Sequence, residues 1–169
     1  LFRSTWTFST PMILVALGLV ANADRTTLFT AVTMDIGMCI TGLAAALTTS
    51  SYLLRWVFYG ISCAFFVAVL YVLLVEWPAS AATAGTAEIF NTLKLLTVVL
   101  WLGYPILWAL GSEGFAVIDV AVTSWGYSGL DIVAKYVFAF LLLRWVANNE
   151  GAVSGGASTT RTGTAPADD

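Results

Sequence analysis

Asp131 and Lys135 stand four residues apart in LDIVAKYVFAFLLLR (Leu130–Arg144), a stretch that is otherwise apolar. That spacing places both side chains on one face of a helix, one turn apart, where they pair. An ionisable group at bilayer depth is costly and normally has a partner and a task. Asp131 stays charged if Lys135 does, and a lysine held in an apolar interior is also the usual lysine for a Schiff base. A structural ion pair between spans fits the same stretch equally well, so these residues alone leave both readings open.

Trp101, Tyr104 and Trp108 fall at i, i+3 and i+7 and line one helical face, with Pro105 interrupting the helix beside them. Three large rings at mid-depth suit the walls of a flat, conjugated ligand, although ordinary interhelical packing uses the same pattern. Thr5, Ser9 and Thr10 surround Trp6 ahead of Pro11. Such hydroxyls commonly bond back to their own helix, and they also donate to anions. Asp35 is the lone charge of its span. Without a nearby cation it is expected to be protonated and to donate to a neighbouring span.

The charges add a further clue. Arg3 and Lys135 face only Asp131 in one half of the core, which leaves one positive charge unbalanced. An uncompensated charge in low dielectric is expensive, and a mobile anion solvated by Thr5 and Ser9 would balance it. A proton carrier would instead need carboxylates at these depths, where Thr5 and Ala16 offer none.

The elements that position these residues are membrane spans. The 169 residues are 59% hydrophobic and only 10% charged, with a mean hydropathy of +0.88, which is the composition of a polytopic helical membrane protein. A net charge of −3 argues against a nucleic-acid partner. The chain has no His, and Cys39 and Cys63 lie in apolar runs, so neither a metal site nor a disulfide framework is expected. Five spans are expected, over about 2–21, 28–48, 56–75, 90–110 and 116–146. Together they form one bundle over residues 1–147. Glu76–Glu88 reads as the longest loop, and the Gly-, Ser- and Thr-rich residues 148–169 as a disordered tail. Arg25, Lys94 and Arg144 outvote Arg3 and Arg55 for the cytoplasmic side, which puts the N-terminus outside and the tail inside. No signal peptide is expected from the opening residues, and a chain that opens at the brink of a span reads as a fragment lacking its beginning.

WTFSTP (Trp6–Pro11), DIGMCITG (Asp35–Gly42), WLGYPILW (Trp101–Trp108) and LDIVAK (Leu130–Lys135) together resemble the microbial (type I) rhodopsins, and most closely the haloarchaeal halorhodopsins. The resemblance implies an all-α transmembrane bundle of seven helices, of which this chain keeps the last five. It implies all-trans retinal on Lys135 as a Schiff base, with Asp131 as counter-ion. Trp6, Thr10, Asp35, Met38, Gly42, Ser62, Phe66, Trp101, Tyr104 and Trp108 would line the pocket. Thr5, Ser9 and Arg3 would hold chloride. Proton pumps of the family carry aspartates at the places of Thr5 and Ala16. The implied activity is therefore inward, light-driven chloride pumping at the cell membrane, by a protein that is not an enzyme. An outward proton pump and a sensory photoreceptor are the alternatives. Membrane lipid and a homotrimer are the implied partners. One departure concerns Arg3: the family's arginine stands four residues before the tryptophan, at Phe2 here, and one residue turns a side chain ~100° around a helix.

Overall fold

The computed structural model describes residues 2–149, with side chains from Trp6 onward. The side chains of Arg3 and Thr5, and the tail beyond Asn149, lie outside the described residues. The elements are α1 (Phe2–Val20), α2 (Arg25–Leu47), α3 (Tyr52–Tyr71), α4 (Trp77–Thr83), α5 (Ala87–Leu110), α6 (Val120–Ile132) and α7 (Phe138–Asn148). A π turn at Val72–Glu76 joins α3 to α4, and another at Val133–Val137 joins α6 to α7. Each pair thus forms one interrupted helix, and the chain crosses the bundle five times. Three helices, Arg25–Leu47, Tyr52–Thr83 and Ala87–Leu110, are long and apolar enough to cross a membrane.

Local chemistry sets the helix starts. The Asp24 carboxylate accepts from the Thr26 and Thr27 N–H groups at 2.7 and 3.0 Å, and Ser51 and Asp119 cap α3 and α6 in the same way. The segment expected as the longest loop, Glu76–Glu88, is helical as far as Thr83. Pro78 stands in the first turn of α4, directly after the π turn, and having no N–H it leaves a carbonyl of the preceding turn without a helical donor. Only residues 84–86 connect that helix to α5. The span expected from residue 116 begins at Val120, because residues 111–119 extend the turn.

The core runs along the middle of the bundle, where Leu14, Leu17, Leu73, Trp77, Phe90 and Leu93 are fully buried. The outside is apolar too: Phe8, Phe29 and Trp125 are each more than 70% exposed, as a lipid-facing surface requires. Small residues bring α5 and α6 together. A Cβ on Gly103 would stand 2.8 Å from Leu130 Cδ1, and one on Gly126 would stand 2.9 Å from Leu107 Cδ1. Close approach at such positions is how helices associate in lipid. Here it carries Tyr104 of α5 to Asp131 of α6.

At one end of the bundle, Arg55 donates to the carbonyls of Thr48 (2.9 Å) and Glu113 (3.0 Å), tying the α2–α3 and α5–α6 turns together. At the opposite end, Thr86 donates to the Val20 carbonyl at 2.6 Å.

Candidate functional site

Lys135 Nζ lies 3.2 Å from Asp131 Oδ1, the one-turn ion pair expected from their spacing. Lys135 sits at the centre of the second π turn. An i→i+5 turn changes the angular phase of the helix, and such turns recur at functional positions.

Asp131 is held from two other helices. The Trp6 indole N–H donates to Oδ2 at 2.9 Å, and the Tyr104 hydroxyl donates to Oδ1 at 2.6 Å. With the ammonium of Lys135, three donors from α1, α5 and the π turn serve one carboxylate. Charge-assisted bonds of this kind are the strong ones. The rings also brace one another: Trp6 meets Tyr104 edge-on at 5.0 Å and Tyr127 at 5.3 Å. Tyr127 was not singled out from the sequence. Its spacing of four from Asp131, on the same helical face, was the signal available.

An apolar cavity runs from these rings through the middle of the bundle. Trp6, Thr10, Met38, Gly42, Ser62, Phe66, Trp101, Tyr104 and Trp108 line it, as the sequence reading expected. Cys39, Leu43, Tyr59, Cys63, Pro105 and Tyr127 also line it and were not anticipated as wall residues. Gly42 keeps room there: a Cβ would stand 3.2 Å from Ser62 Oγ, and that hydroxyl is fixed by donating to the Met38 carbonyl at 2.8 Å.

Asp35 does not line the cavity but stands behind Thr10, fully buried. Thr10 Oγ1 lies 2.7 Å from Asp35 Oδ2 and 2.8 Å from the Trp6 carbonyl. A hydroxyl has one hydrogen and a carbonyl only accepts. Thr10 therefore shares its one hydrogen between the Asp35 carboxyl and its own helix. The partner is on a neighbouring span, α1, but Thr10 is the donor, where the sequence reading expected Asp35 to donate.

Ser9 differs from Thr10. Its Oγ is buried with no hydrogen-bond partner among the described residues, although a span hydroxyl normally finds its own backbone. A buried hydroxyl left unmatched costs free energy, so this one is available to an acceptor that is not part of the chain.

A lysine–carboxylate pair held by Trp6 and Tyr104, two walls of a ring-lined cavity, inside an all-helical membrane bundle, defines a class. The family model for "Bacteriorhodopsin-like protein" matches residues 3–149, and the chain belongs to that family. Within it the chain is similar to halorhodopsins. It is 81% identical to "Halorhodopsin" of Halobacterium halobium (strain port), over 98% of this chain and 60% of that protein. It is 81% identical to "Cruxhalorhodopsin-1" of Haloarcula argentinensis, over 78% of this chain and the whole of the other sequence. The solved structure "Halorhodopsin, a light-driven chloride pump" superposes with a TM-score of 0.87 at 66% identity, over 89% of this chain and 64% of that one. The chain thus spans about 60% of the length of the first of these relatives.

Proposed function

We propose that this chain is the retinal- and anion-binding part of a light-driven inward chloride pump of the cell membrane, a transporter and not an enzyme. The observation that carries the reading is the buried, unmatched hydroxyl of Ser9, three residues along α1 from Trp6, whose indole holds the carboxylate that also accepts from Tyr104 and Lys135.

The residues present fit retinal: the cavity is ring-lined, Gly42 and Ser62 leave it open, and Lys135, in a π turn, pairs with the carboxylate that two of the cavity's walls hold. All-trans retinal joined to Lys135 as a protonated Schiff base would supply light absorption and a bond rotation that redirects the N–H. Lys135 holds the positive charge. Asp131, whose oxygens accept from Trp6 and Tyr104, would face that charge across the 3.2 Å pair. Ser9 and Thr5 solvate a chloride with neutral hydroxyls, and Arg3 adds positive charge from α1. No carboxyl stands at Thr5 to accept a proton, so the anion moves instead. Trp101, Tyr104 and Trp108 would enclose retinal in the cavity they line, and Pro105 would give α5 the freedom to tilt. The end bearing Arg55 faces outside, the tail faces the cytoplasm, and membrane lipid and a homotrimer are the surroundings proposed.

Illuminated vesicles carrying the complete protein test this. With a protonophore present, passive proton uptake grows when chloride is imported and collapses when protons are exported. Growth supports the chloride pump; collapse supports the proton pump. Absence of any ion movement, with signalling through a bound transducer, supports the sensor.

A further inference from the structure

A second cavity adjoins the ring-lined one. The α5–α6 turn at Ser112 and Glu113 forms part of its wall, and Thr123, Ser124 and Ser128 of α6 form another. Trp6 and Tyr127 line both cavities. The two spaces differ in chemistry, since the first is walled mainly by rings and aliphatic groups and the second by hydroxyls and a carboxylate. Thr123 and Ser128 spend their hydroxyl hydrogens on the Asp119 and Ser124 carbonyls, at 2.8 and 3.0 Å. What they have left to offer is lone pairs, which suit water and do not solvate an anion.

Tyr127 stands where the polar space ends. Its side chain is 8% exposed. On one side its ring meets Trp6 of α1 at 5.3 Å, and on the other it stacks on Tyr104 of α5 at 6.0 Å and 21°. Those two rings are the ones that donate to Asp131. Asp131 follows Tyr127 by one turn, and Lys135 follows it by eight residues, or ~12 Å of helical rise. Water let past this point would raise the dielectric around the ion pair and weaken its attraction. It would also expose a Schiff base to hydrolysis, a side reaction that closed sites prevent.

We propose that Tyr127 is a partition that, with Trp6, keeps the water of the second cavity from the Asp131–Lys135 pair. It is a positioning residue, and it acts by filling the space between Trp6 and Tyr104. The proposal rests on the reading of Lys135 as the retinal anchor. Failure of that reading shows separately, as a missing visible band in the unsubstituted protein before any rate is measured.

Hydroxylamine in the dark tests the partition in the complete, retinal-bearing protein. It adds to the carbon–nitrogen double bond, carries retinal off as the oxime and frees the lysine amine, so the visible band fades at a rate set by access. In Tyr127→Ala the fading should quicken about tenfold, as for a barrier lower by ~1.4 kcal/mol. Tyr127→Phe keeps the ring and should fade as the unsubstituted protein does. Tyr127→Leu leaves a smaller gap, should fall between these, and stands in if Tyr127→Ala takes up no retinal. Leu73→Ala removes a fully buried side chain elsewhere in the core, which loosens the fold without opening the partition, and it should leave the rate unchanged. Unchanged fading in Tyr127→Ala or its Leu replacement overturns the proposal. So does fading in Tyr127→Phe or Leu73→Ala as fast as in Tyr127→Ala, since the hydroxyl or general loosening would then be the cause.

Discussion

Trp6 and Asp131 are 125 residues apart in the chain, yet the indole N–H of one donates to the carboxylate of the other at 2.9 Å. The bond ties the first helix to the segment that carries Lys135, and it occupies one of the two carboxylate oxygens. Trp6→Phe keeps a ring in the wall and deletes the donor. It should lower thermal stability by ~1.5–3 kcal/mol, the range for a hydrogen bond to a charged group. Heat denaturation of the retinal-bearing protein checks this, and an unchanged midpoint would mean that the bond contributes nothing.

Lys135 is the anchor assigned to retinal. Lys135→Ala should abolish the visible absorption band, because no other lysine lies in that half of the bundle; Lys94 sits near the opposite end, where it donates to Asn91 at 2.7 Å. Lys135→Ala also leaves Asp131 with only the Trp6 and Tyr104 donors. The spectrum of the variant after addition of retinal is the measurement.

Asp35 and Thr10 form the second interhelical polar contact beside the cavity. Thr10→Val removes the hydroxyl and keeps the shape, which leaves a fully buried carboxyl without its 2.7 Å partner. Such an orphaned group costs about 1–3 kcal/mol. The infrared band of a protonated carboxyl should shift in this variant and vanish in Asp35→Asn.

Asp24 makes stability depend on pH at the surface. The hydrogen bond from the Thr27 N–H is the chief cause that holds its carboxyl below its ordinary value of 3.8. A depressed value in the folded state means that the stabilisation is present above pH 3.8 and is lost as pH falls through the lower, folded value. Asp24→Asn keeps a capping side chain and removes the titration, so its stability should vary less with pH below 3.8. Melting curves across acid pH give the comparison.

Much of this arrangement was legible in the residues, for physical reasons. Apolar length marks a span, a spacing of four marks the Asp131–Lys135 pair, and the positions of Trp101, Tyr104 and Trp108 mark one face. The continuation of α3 into α4 was not legible. Glu76, Pro78 and the small residues after them have loop composition, and only a π turn at Val72–Glu76 carries the helix through. Tyr59 was missed as a wall residue because what holds it there is a bond to Pro105, 46 residues away, and nothing in its own span announces that partner. The same holds for Ser9: its hydroxyl was noticed as a candidate, but only packing reveals that it has no partner in its own helix.

The account rests on an anion beside Lys135, and the most direct measurement is a chloride titration of the visible absorption band of the complete protein. The band should shift and saturate with chloride. In Ser9→Ala the midpoint should rise about tenfold, the equivalent of ~1.4 kcal/mol. A band that chloride leaves unmoved would contradict the account.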